Sequence, residues 1–266
     1  MTSDQALFSL AGKTALITGA TGHLGSAMAE AMAIAGARVL VNGRDPQKCE
    51  SLSSELRSKG FDSVAAVFDV SDRQAVAEYF KNKGPDELHV LVNNAYAGGA
   101  GSIESASPES FLQSYDVAVV ASHYLFQQAL PALRRAVDQD GDASVINIAS
   151  MYGVVSPDQR LYPNAESANP PFYGAAKAAL LQWTRYAACE FGKEGIRVNA
   201  ICPGPFPAKS VQDESPEFIE KLAARVPMGR IGGANEIAGP TVFLASVASS
   251  YVNGASLMVD GGWTAW

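Results

Sequence analysis

The sequence predicts an α/β fold: a doubly wound, mainly parallel sheet in one domain with helices on both faces. Two observations predict it. Short apolar segments alternate with helical stretches along the chain, and the first apolar segment is followed by a glycine-rich turn. Strands that alternate with helices favour parallel pairing with right-handed crossovers. Since no Pro/Ser/Gly-rich linker divides the 266 residues, we expect residues 1–266 to form a single domain.

Each element is predicted from its apolar pattern and its flanking residues. The strands are predicted at residues 14–18, 38–42, 64–68, 89–93, 144–148, 197–201 and 257–259. The helices are predicted from the glycine turn to residue 35 and at 47–59, 73–81, 111–136, 173–191 and 236–246. Gly36 ends the first helix, so the first two strands and this helix form a βαβ unit.

The glycine turn reads Thr18-Gly19-Ala20-Thr21-Gly22-His23-Leu24-Gly25. Glycines at this spacing also occur in ordinary strand–helix turns that bind no ligand. Here they occupy the first strand–helix connection, which predicts a Rossmann-like site for the pyrophosphate of a dinucleotide. Gly19 would permit the tight turn, Gly22 the approach of the pyrophosphate, and Gly25 the close packing of the helix.

The end of the second strand indicates which nucleotide binds. A carboxylate there would bind the ribose hydroxyls and repel a 2′-phosphate, but the residues are Asn42-Gly43-Arg44. Arg44 can pair with a phosphate, which favours NADP(H) and leaves NAD(H) as the alternative. The competing interpretation is a solvated Arg44 beside Asp45. Asp69 follows the third strand, where it would either meet the adenine amino group or cap the next helix.

Ser150, Tyr173 and Lys177 are the candidate catalytic residues. Reduction of a carbonyl needs a proton for the developing alkoxide and a donor that holds its oxygen. Tyr173 would supply the proton, and Lys177 lies four residues later, on the same helical face, where its charge would favour the phenolate. Ser150 would donate a hydrogen bond to the substrate oxygen. The alternative is an ordinary surface Tyr and Lys beside a serine that ends a strand.

Charge and cysteine content exclude several other classes. The net charge is −7 and the basic residues are scattered, which argues against nucleic acid as a partner. Three widely spaced cysteines fit neither a disulfide framework nor a zinc site, so we expect no metal and a cytoplasmic location. The N-terminus lacks the pattern of a secretory signal. The uncharged run 237–259 contains Pro240 and four serines and reads as helix, turn and strand rather than a membrane span.

These motifs together resemble the compact, single-domain type of the short-chain dehydrogenase/reductase family over essentially the whole chain. Three further segments carry the resemblance: Asn93-Asn94-Ala95, the run from Arg197 to Gly204, and Val259-Asp260-Gly261-Gly262. The family implies hydride transfer between NAD(P) and an alcohol or carbonyl, a homotetramer or homodimer, Asn94 supporting the cleft, and Pro203-Gly204 flanking the nicotinamide. The candidate cofactor-binding residues are Gly19, Thr21, Gly22, His23, Leu24, Gly25, Arg44, Asp69, Val70, Asn94, Ala95, Tyr173, Lys177, Pro203 and Gly204.

Several departures from the family pattern affect the predicted site. His23 stands where the family usually has the middle glycine of the turn, and Pro205-Phe206-Pro207-Ala208 replaces a run that often holds a Thr for the carboxamide. Ala118 stands where an Asn commonly supports a water-linked proton relay to the Lys, so either water and backbone carry that relay or turnover is impaired. Residues 151–172 form an unusually long loop, which we expect to line the substrate pocket, and residues 203–227 a mobile lid.

Substrate identity stays open at this stage. Gln159, Arg160, Asn164 and Glu166 would suit a polyol or keto-sugar, but solvent exposure alone also produces such a loop. A 3-ketoacyl thioester is the other candidate. The alternative to an enzyme is a non-catalytic or weakly catalytic regulatory protein that binds a dinucleotide, which Ala118 would suit; the intact Ser150, Tyr173 and Lys177 argue against it.

Overall fold

The computed structural model describes residues 7–266 and contains one seven-stranded sheet in the order β3-β2-β1-β4-β5-β6-β7. Every neighbouring pair of strands is parallel. The strands are β1 (Thr14–Ile17), β2 (Arg38–Gly43), β3 (Ser63–Val67), β4 (Val90–Asn93), β5 (Ala143–Ile148), β6 (Ile196–Pro203) and β7 (Ser256–Val259). The doubly wound α/β fold predicted from the sequence is therefore confirmed.

Nine α-helices connect these strands within residues 7–266. They are α1 (His23–Ile34), α2 (Pro46–Ser58), α3 (Arg73–Asn82), α4 (Pro108–Tyr115), α5 (Ala121–Asp140), α6 (Pro171–Phe191), α7 (Lys209–Glu214), α8 (Pro216–Arg225) and α9 (Ala238–Ala245). The prediction of a single helix over 111–136 is wrong: a π-helical turn, Asp116–Val120, separates α4 from α5. Helices α7 and α8 in the lid were not predicted.

The two faces of the sheet bury separate apolar clusters, because side chains alternate along each strand. On β1, Leu16 belongs to one cluster and its neighbours Ala15 and Ile17 to the other. The first cluster also contains side chains of α3 and α5, and the second contains side chains of α1 and α9. A sheet covered on both faces in this way leaves its strand ends as the place for a ligand.

The uncharged run 237–259 folds as predicted from Pro240 and its four serines. It forms α9, the 3-10 turn Val247–Ser249 and the edge strand β7. Across residues 7–266, the helices are all too short or too polar to span a lipid bilayer.

Candidate active site

A cleft of about 410 Å³ lies at the carboxyl ends of the central strands. The glycine turn after β1, the end of β2, the segment after β3 and the segment after β4 form its walls. It brings together all of the candidate cofactor-binding residues except Tyr173, Lys177, Pro203 and Gly204. Its lining residues are Gly19, Thr21, Gly22, His23, Leu24, Gly25, Asn42, Gly43, Arg44, Phe68, Asp69, Val70, Ser71, Asn94, Ala95, Tyr96, Ala97 and Val117.

The turn's conformation requires two of its glycines. Gly19 has a φ of +59°, in the left-handed region that other residues rarely adopt. A Cβ on Gly25 would lie 2.2 Å from the Gly19 carbonyl oxygen, whereas a Cβ on Gly22 would approach that oxygen to only 3.3 Å. Gly22 precedes the first residue of α1 and brings no capping side chain. The first amide N–H groups of α1 therefore remain available for an anion.

Asn94 ties the end of β4 to the glycine turn. Its side-chain Nδ2 donates to the carbonyl oxygens of Thr18 and Gly19, at 2.8 and 3.1 Å. The Thr18 hydroxyl oxygen accepts the backbone N–H groups of Asn94 and Ala95. These bonds fix the turn against the neighbouring strand, so Asn94 supports the cleft without needing to contact a ligand.

Arg44 lines the cleft with 74% of its side chain exposed, 3.8 Å from the Asp69 carboxylate. Asp45, the next residue in the sequence, caps α2 by accepting the N–H groups of Gln47 and Lys48. Asp69 does not cap α3, since Asp72 has that role. The remaining Asp69 oxygen accepts the Ser71 N–H. Arg44 and Asp69 thus form a weak, exposed pair over the cleft.

Asn42, at the end of β2, carries no charge and is committed to the sheet. It is buried, and its Nδ2 donates to the carbonyl oxygens of Ala66 and Phe68. The end of β2 therefore presents a cation to the cleft and no carboxylate that would repel a phosphate.

Tyr173 and Lys177 begin α6, and Ser150 follows β5. The Lys177 side chain is only 4% exposed, and its Nζ donates to the Ile148 carbonyl oxygen at 2.7 Å. Burial lowers the pKa of Lys177 to about 8. The ammonium lies 5.7 Å from the centroid of the Tyr173 ring, which places Tyr173 and Lys177 side by side as the helical spacing predicted.

The pKa of Tyr173 is raised, not lowered as the sequence suggested. Burial of the phenol disfavours the phenolate, and this effect exceeds the opposing hydrogen bond with Ser150. The spacing in the sequence shows that the Lys177 charge lies near the phenol. The desolvation of Tyr173 and Lys177, which has the larger effect on both pKa values, arises only when the chain folds. Ser150 itself is buried, and its hydroxyl oxygen accepts the Tyr152 N–H.

Pro203 ends β6 and Gly204 follows it, at a position where the packing leaves no room for a side chain. The Gly204 N–H donates to the Val259 carbonyl oxygen, and a Cβ on Gly204 would lie 2.6 Å from the Asp260 Cα. Asp260 in turn accepts both the N–H and the hydroxyl of Thr264. The Pro203–Gly204 segment is thus held by the C-terminal residues.

The loop 151–172 packs on the lid helix α8 rather than standing alone. Its Met151 and Leu161 share an apolar cluster with Leu222 and Val226 of the lid. Asp158 pairs with Arg160 in the loop and with Arg225 of α8, which holds its pKa well below the usual range. The loop 151–172 and helix α8 are therefore connected by apolar contacts and an ion pair.

Three of the four polar side chains that suggested a sugar substrate form hydrogen bonds in or next to the loop. Asn164 accepts the N–H and hydroxyl of Ser167, and Glu166 accepts the Ser102 hydroxyl. Arg160 is 81% exposed and bonded to Asp158. Solvent exposure is thus the better explanation of Arg160 and Glu166.

Tyr96 is a site residue that the sequence reading missed. It follows Asn93-Asn94-Ala95, lines the cleft and stacks edge-on against Tyr173 with ring centroids 5.0 Å apart. The Lys177 Nζ lies 4.9 Å from its ring centroid. Its place directly after a motif of the family was the signal that could have identified it.

Comparison with known proteins agrees with this geometry. A family model described as enoyl-(acyl carrier protein) reductase matches residues 19–264. The chain is 35% identical to gluconate 5-dehydrogenase of Gluconobacter oxydans, with 97% of each chain covered. It is 34% identical to a rhamnolipid-biosynthesis 3-oxoacyl-[acyl-carrier-protein] reductase of Pseudomonas aeruginosa, with 96% of this chain and 97% of that protein covered.

A solved structure is equally similar. The NADP active-site complex of Pseudomonas aeruginosa RhlG has a TM-score of 0.88 and 33% identity, with 97% of this chain and 98% of that chain covered. The chain therefore belongs to the short-chain dehydrogenase/reductase family. It is an NAD(P)-dependent oxidoreductase, as the sequence predicted.

Proposed function

We propose that the protein transfers a hydride between NADP(H) and the carbonyl or alcohol group of a small molecule, with Ser150, Tyr173 and Lys177 as its catalytic residues. The observation that carries the proposal is that the cleft adjoins the candidate catalytic residues. Tyr96 lines the cleft and contacts both Tyr173 and Lys177, so a dinucleotide bound along the glycine turn would end beside these side chains.

Each residue has a separate task in this scheme. The backbone N–H groups at the start of α1 and the Gly22 backbone would hold the pyrophosphate, and Lys177 would hold the nicotinamide ribose. Hydride transfer is the chemistry that the nicotinamide supplies when bound. Ser150 would donate a hydrogen bond to the substrate oxygen, and Tyr173 would give that oxygen a proton.

The pKa of Tyr173 favours the reductive direction. Because burial raises this pKa, the phenol stays protonated at neutral pH and is ready to donate. Oxidation would need the phenolate, which requires either a higher pH or a closer approach of the Lys177 charge.

Arg44 supports NADP(H) over NAD(H). The end of β2 offers its exposed guanidinium, which Asp69 pairs only at 3.8 Å, and the buried Asn42 carries no charge. A 2′-phosphate would give Arg44 a dianionic partner that forms shorter, charge-assisted hydrogen bonds. The RhlG complex, which contains NADP, supports the same choice.

The substrate class that we propose is a 3-oxoacyl ester rather than a keto-sugar. One relative is named for gluconate and another for a 3-oxoacyl carrier-protein substrate. The loop beyond Ser150 has an apolar cluster that contains Met151 and Leu161, with Tyr152 packed against it. Most of the loop's polar side chains are already bonded to neighbouring groups. An apolar wall stabilises an acyl chain, whereas a polyol would lose hydrogen bonds to water there.

We also propose a cytoplasmic homo-oligomer. Helices α5 and α6 share an apolar groove of about 480 Å³ whose lining includes Val120, Trp183 and Tyr186, with 68% of Tyr186 exposed. A second copy of the chain would cover such a surface. Light scattering on the protein and on Tyr186→Glu tests the assembly, and fractionation of the native host tests the location.

Loss of the Tyr173 hydroxyl tests the proposed chemistry. In Tyr173→Phe we expect NADPH oxidation with a 3-oxoacyl ester to fall by about 10²–10⁴-fold, the usual contribution of a general acid. NADPH affinity, measured by fluorescence titration, should stay within threefold. Tyr124→Phe, which removes the hydroxyl of a ring that the Arg73 guanidinium stacks on, is the control. Near-normal turnover in Tyr173→Phe would refute the assigned role.

The same assay compares the two substrate classes. We expect the wild-type protein to reduce the 3-oxoacyl ester with a higher kcat/KM than 5-ketogluconate. The reverse order would replace the proposed substrate with a sugar acid and would leave the role of Tyr173 intact.

A further inference from the structure

Tyr96 is anchored at its hydroxyl end. Its oxygen lies 2.8 Å from the Ser114 Oγ, and Ser114 donates to the Phe172 carbonyl oxygen at 3.1 Å. Ser114 is 4% exposed, so this chain of bonds is shielded from water. Because Phe172 directly precedes Tyr173, the anchor connects the end of β4 to the start of α6.

The ring of Tyr96 contacts the two residues that the proposed reaction depends on. It meets the Tyr173 ring edge-on, with 73° between the planes, and the Lys177 Nζ lies 4.9 Å from its centroid. A cation within about 6 Å of an aromatic face is attracted to it, most strongly where water is excluded. Lys177 is 4% exposed, so this attraction is strong here.

The surroundings of Lys177 contain few other groups that could stabilise its charge. The Ile148 carbonyl of β5 accepts a hydrogen bond from Nζ. The titratable groups that face it are the Cys202 thiol of β6, whose influence raises the pKa of Lys177, and the Tyr173 phenol of α6. From the π-helical turn, Ala118 contributes only a methyl group to the apolar cluster that Tyr96 joins.

We propose that Tyr96 is a positioning residue that replaces the family's Asn at position 118: its anchored ring stabilises and orients the Lys177 ammonium and packs against the Tyr173 phenol. The inference rests on the proposed function of Tyr173 and Lys177. It also explains how Ala118 can stand at a position where the family commonly has a hydrogen-bonding side chain. The aromatic ring, packed in the same cluster as Ala118, supplies the stabilisation instead.

The first experiment needs neither substrate nor cofactor. In protein labelled with ¹³C at the lysine Cε, NMR titration gives the pKa of Lys177, and Lys177→Met identifies its signal. In Tyr96→Leu we expect this pKa to fall by about one pH unit, which corresponds to a tenfold change in equilibrium. Tyr96→Phe keeps the ring and should leave it unchanged. An unchanged pKa in Tyr96→Leu would overturn the proposal.

Turnover provides the second readout. In Tyr96→Leu we expect kcat to fall about tenfold, with the alkaline loss of reductase activity moved to lower pH and the KM for the carbonyl within threefold. Tyr96→Phe should keep most of the activity. Tyr124→Leu, which removes a comparable ring stacked on Arg73, is the matched control for general packing. An equal loss of kcat in Tyr96→Phe and Tyr96→Leu would contradict the role of the ring.

A rescue experiment tests whether the Tyr96 ring replaces the family's Asn at position 118. Ala118→Asn should restore much of the lost kcat in a Tyr96→Ala background and should lower kcat in the wild-type background, where the ring fills the site. Equal effects in both backgrounds would contradict the proposal. If Tyr96→Leu does not fold, Tyr96→Met replaces it in both readouts.

The two readouts separate failure of this inference from failure of the proposed function. A Lys177 pKa that responds to Tyr96→Leu in a protein that reduces no carbonyl would contradict the function and keep the contact. A protein that turns over but shows no response of pKa or kcat to Tyr96→Leu would contradict the positioning role alone.

Discussion

Replacing Lys177 by Met is expected to abolish turnover and to stabilise the protein. Met keeps an unbranched apolar chain and removes the buried ammonium. The burial that lowers the Lys177 pKa from 10.5 to about 8 corresponds to about 3 kcal/mol of unfavourable free energy for the charged form. The Ile148 carbonyl would lose its hydrogen bond, which costs about 1–2 kcal/mol. The expected net gain at pH 7 is therefore about 1–2 kcal/mol.

The pH dependence follows from the direction of the pKa change. The folded-state pKa of Lys177 lies below its unfolded-state value, so below pH 8 both states are charged and the wild-type protein bears the full penalty. Between pH 8 and about 10 the folded protein releases the proton while the unfolded chain keeps it, and wild-type stability rises. The advantage of Lys177→Met should therefore shrink over this range.

Urea unfolding of the ligand-free proteins at pH 7 and pH 9.5 measures both effects. Lys48→Met, at an exposed position of α2, is the matched control and should change the free energy of unfolding by less than about 0.5 kcal/mol at either pH. A Lys177→Met protein that is less stable than wild type at pH 7, or whose advantage is the same at both values, would refute the reasoning.

Two further predictions concern the cleft. Gly25→Ala should lower the free energy of unfolding by about 1–3 kcal/mol, because its Cβ would lie 2.2 Å from a backbone oxygen. Gly22→Ala, with 3.3 Å at the equivalent contact, should keep its stability and lose NADPH affinity; equal stability of the two variants would contradict this difference. Arg44→Asp should reduce kcat/KM for NADPH about 10–100-fold and shift the preference to NADH in steady-state assays, and an unchanged preference would mean that Arg44 is merely solvated.

The sequence was sufficient for the fold because local patterns agree with the tertiary structure. The predicted strand ends lie within two residues of those observed, since Gly36 lies just before β2 and Asn93-Asn94 mark the end of β4. The π-helical turn at Asp116–Val120 could not be predicted, because the residues Tyr115-Asp116-Val117-Ala118-Val119 contain no helix breaker. Its extra residue depends on tertiary packing rather than on local propensity.

The positions of the site residues were predictable because they follow from backbone spacing. The pKa values were only partly predictable because they depend on burial. Glycine spacing located the cleft, and helical spacing placed Tyr173 beside Lys177. The direction of the Tyr173 pKa was not predictable, because it depends on how much water the folded chain excludes. The partner of Arg44 was also missed: Asp45 is used as a helix cap, and the nearer carboxylate, Asp69, comes from a different strand.

Ala118, a departure from the family pattern, and Tyr96 are neighbours in space although they are separate in sequence. Ala118 lies on the π-helical turn, and Tyr96 follows β4, yet both pack in one cluster beside α6. Read alone, Ala118 suggests a weakened enzyme. Beside Tyr96, however, the small Ala118 leaves room for the aromatic ring, which a larger side chain would displace. Closely packed interiors accept a small residue where a neighbour supplies the volume. The same reasoning explains why Ala118→Asn is expected to lower kcat while the Tyr96 ring is present.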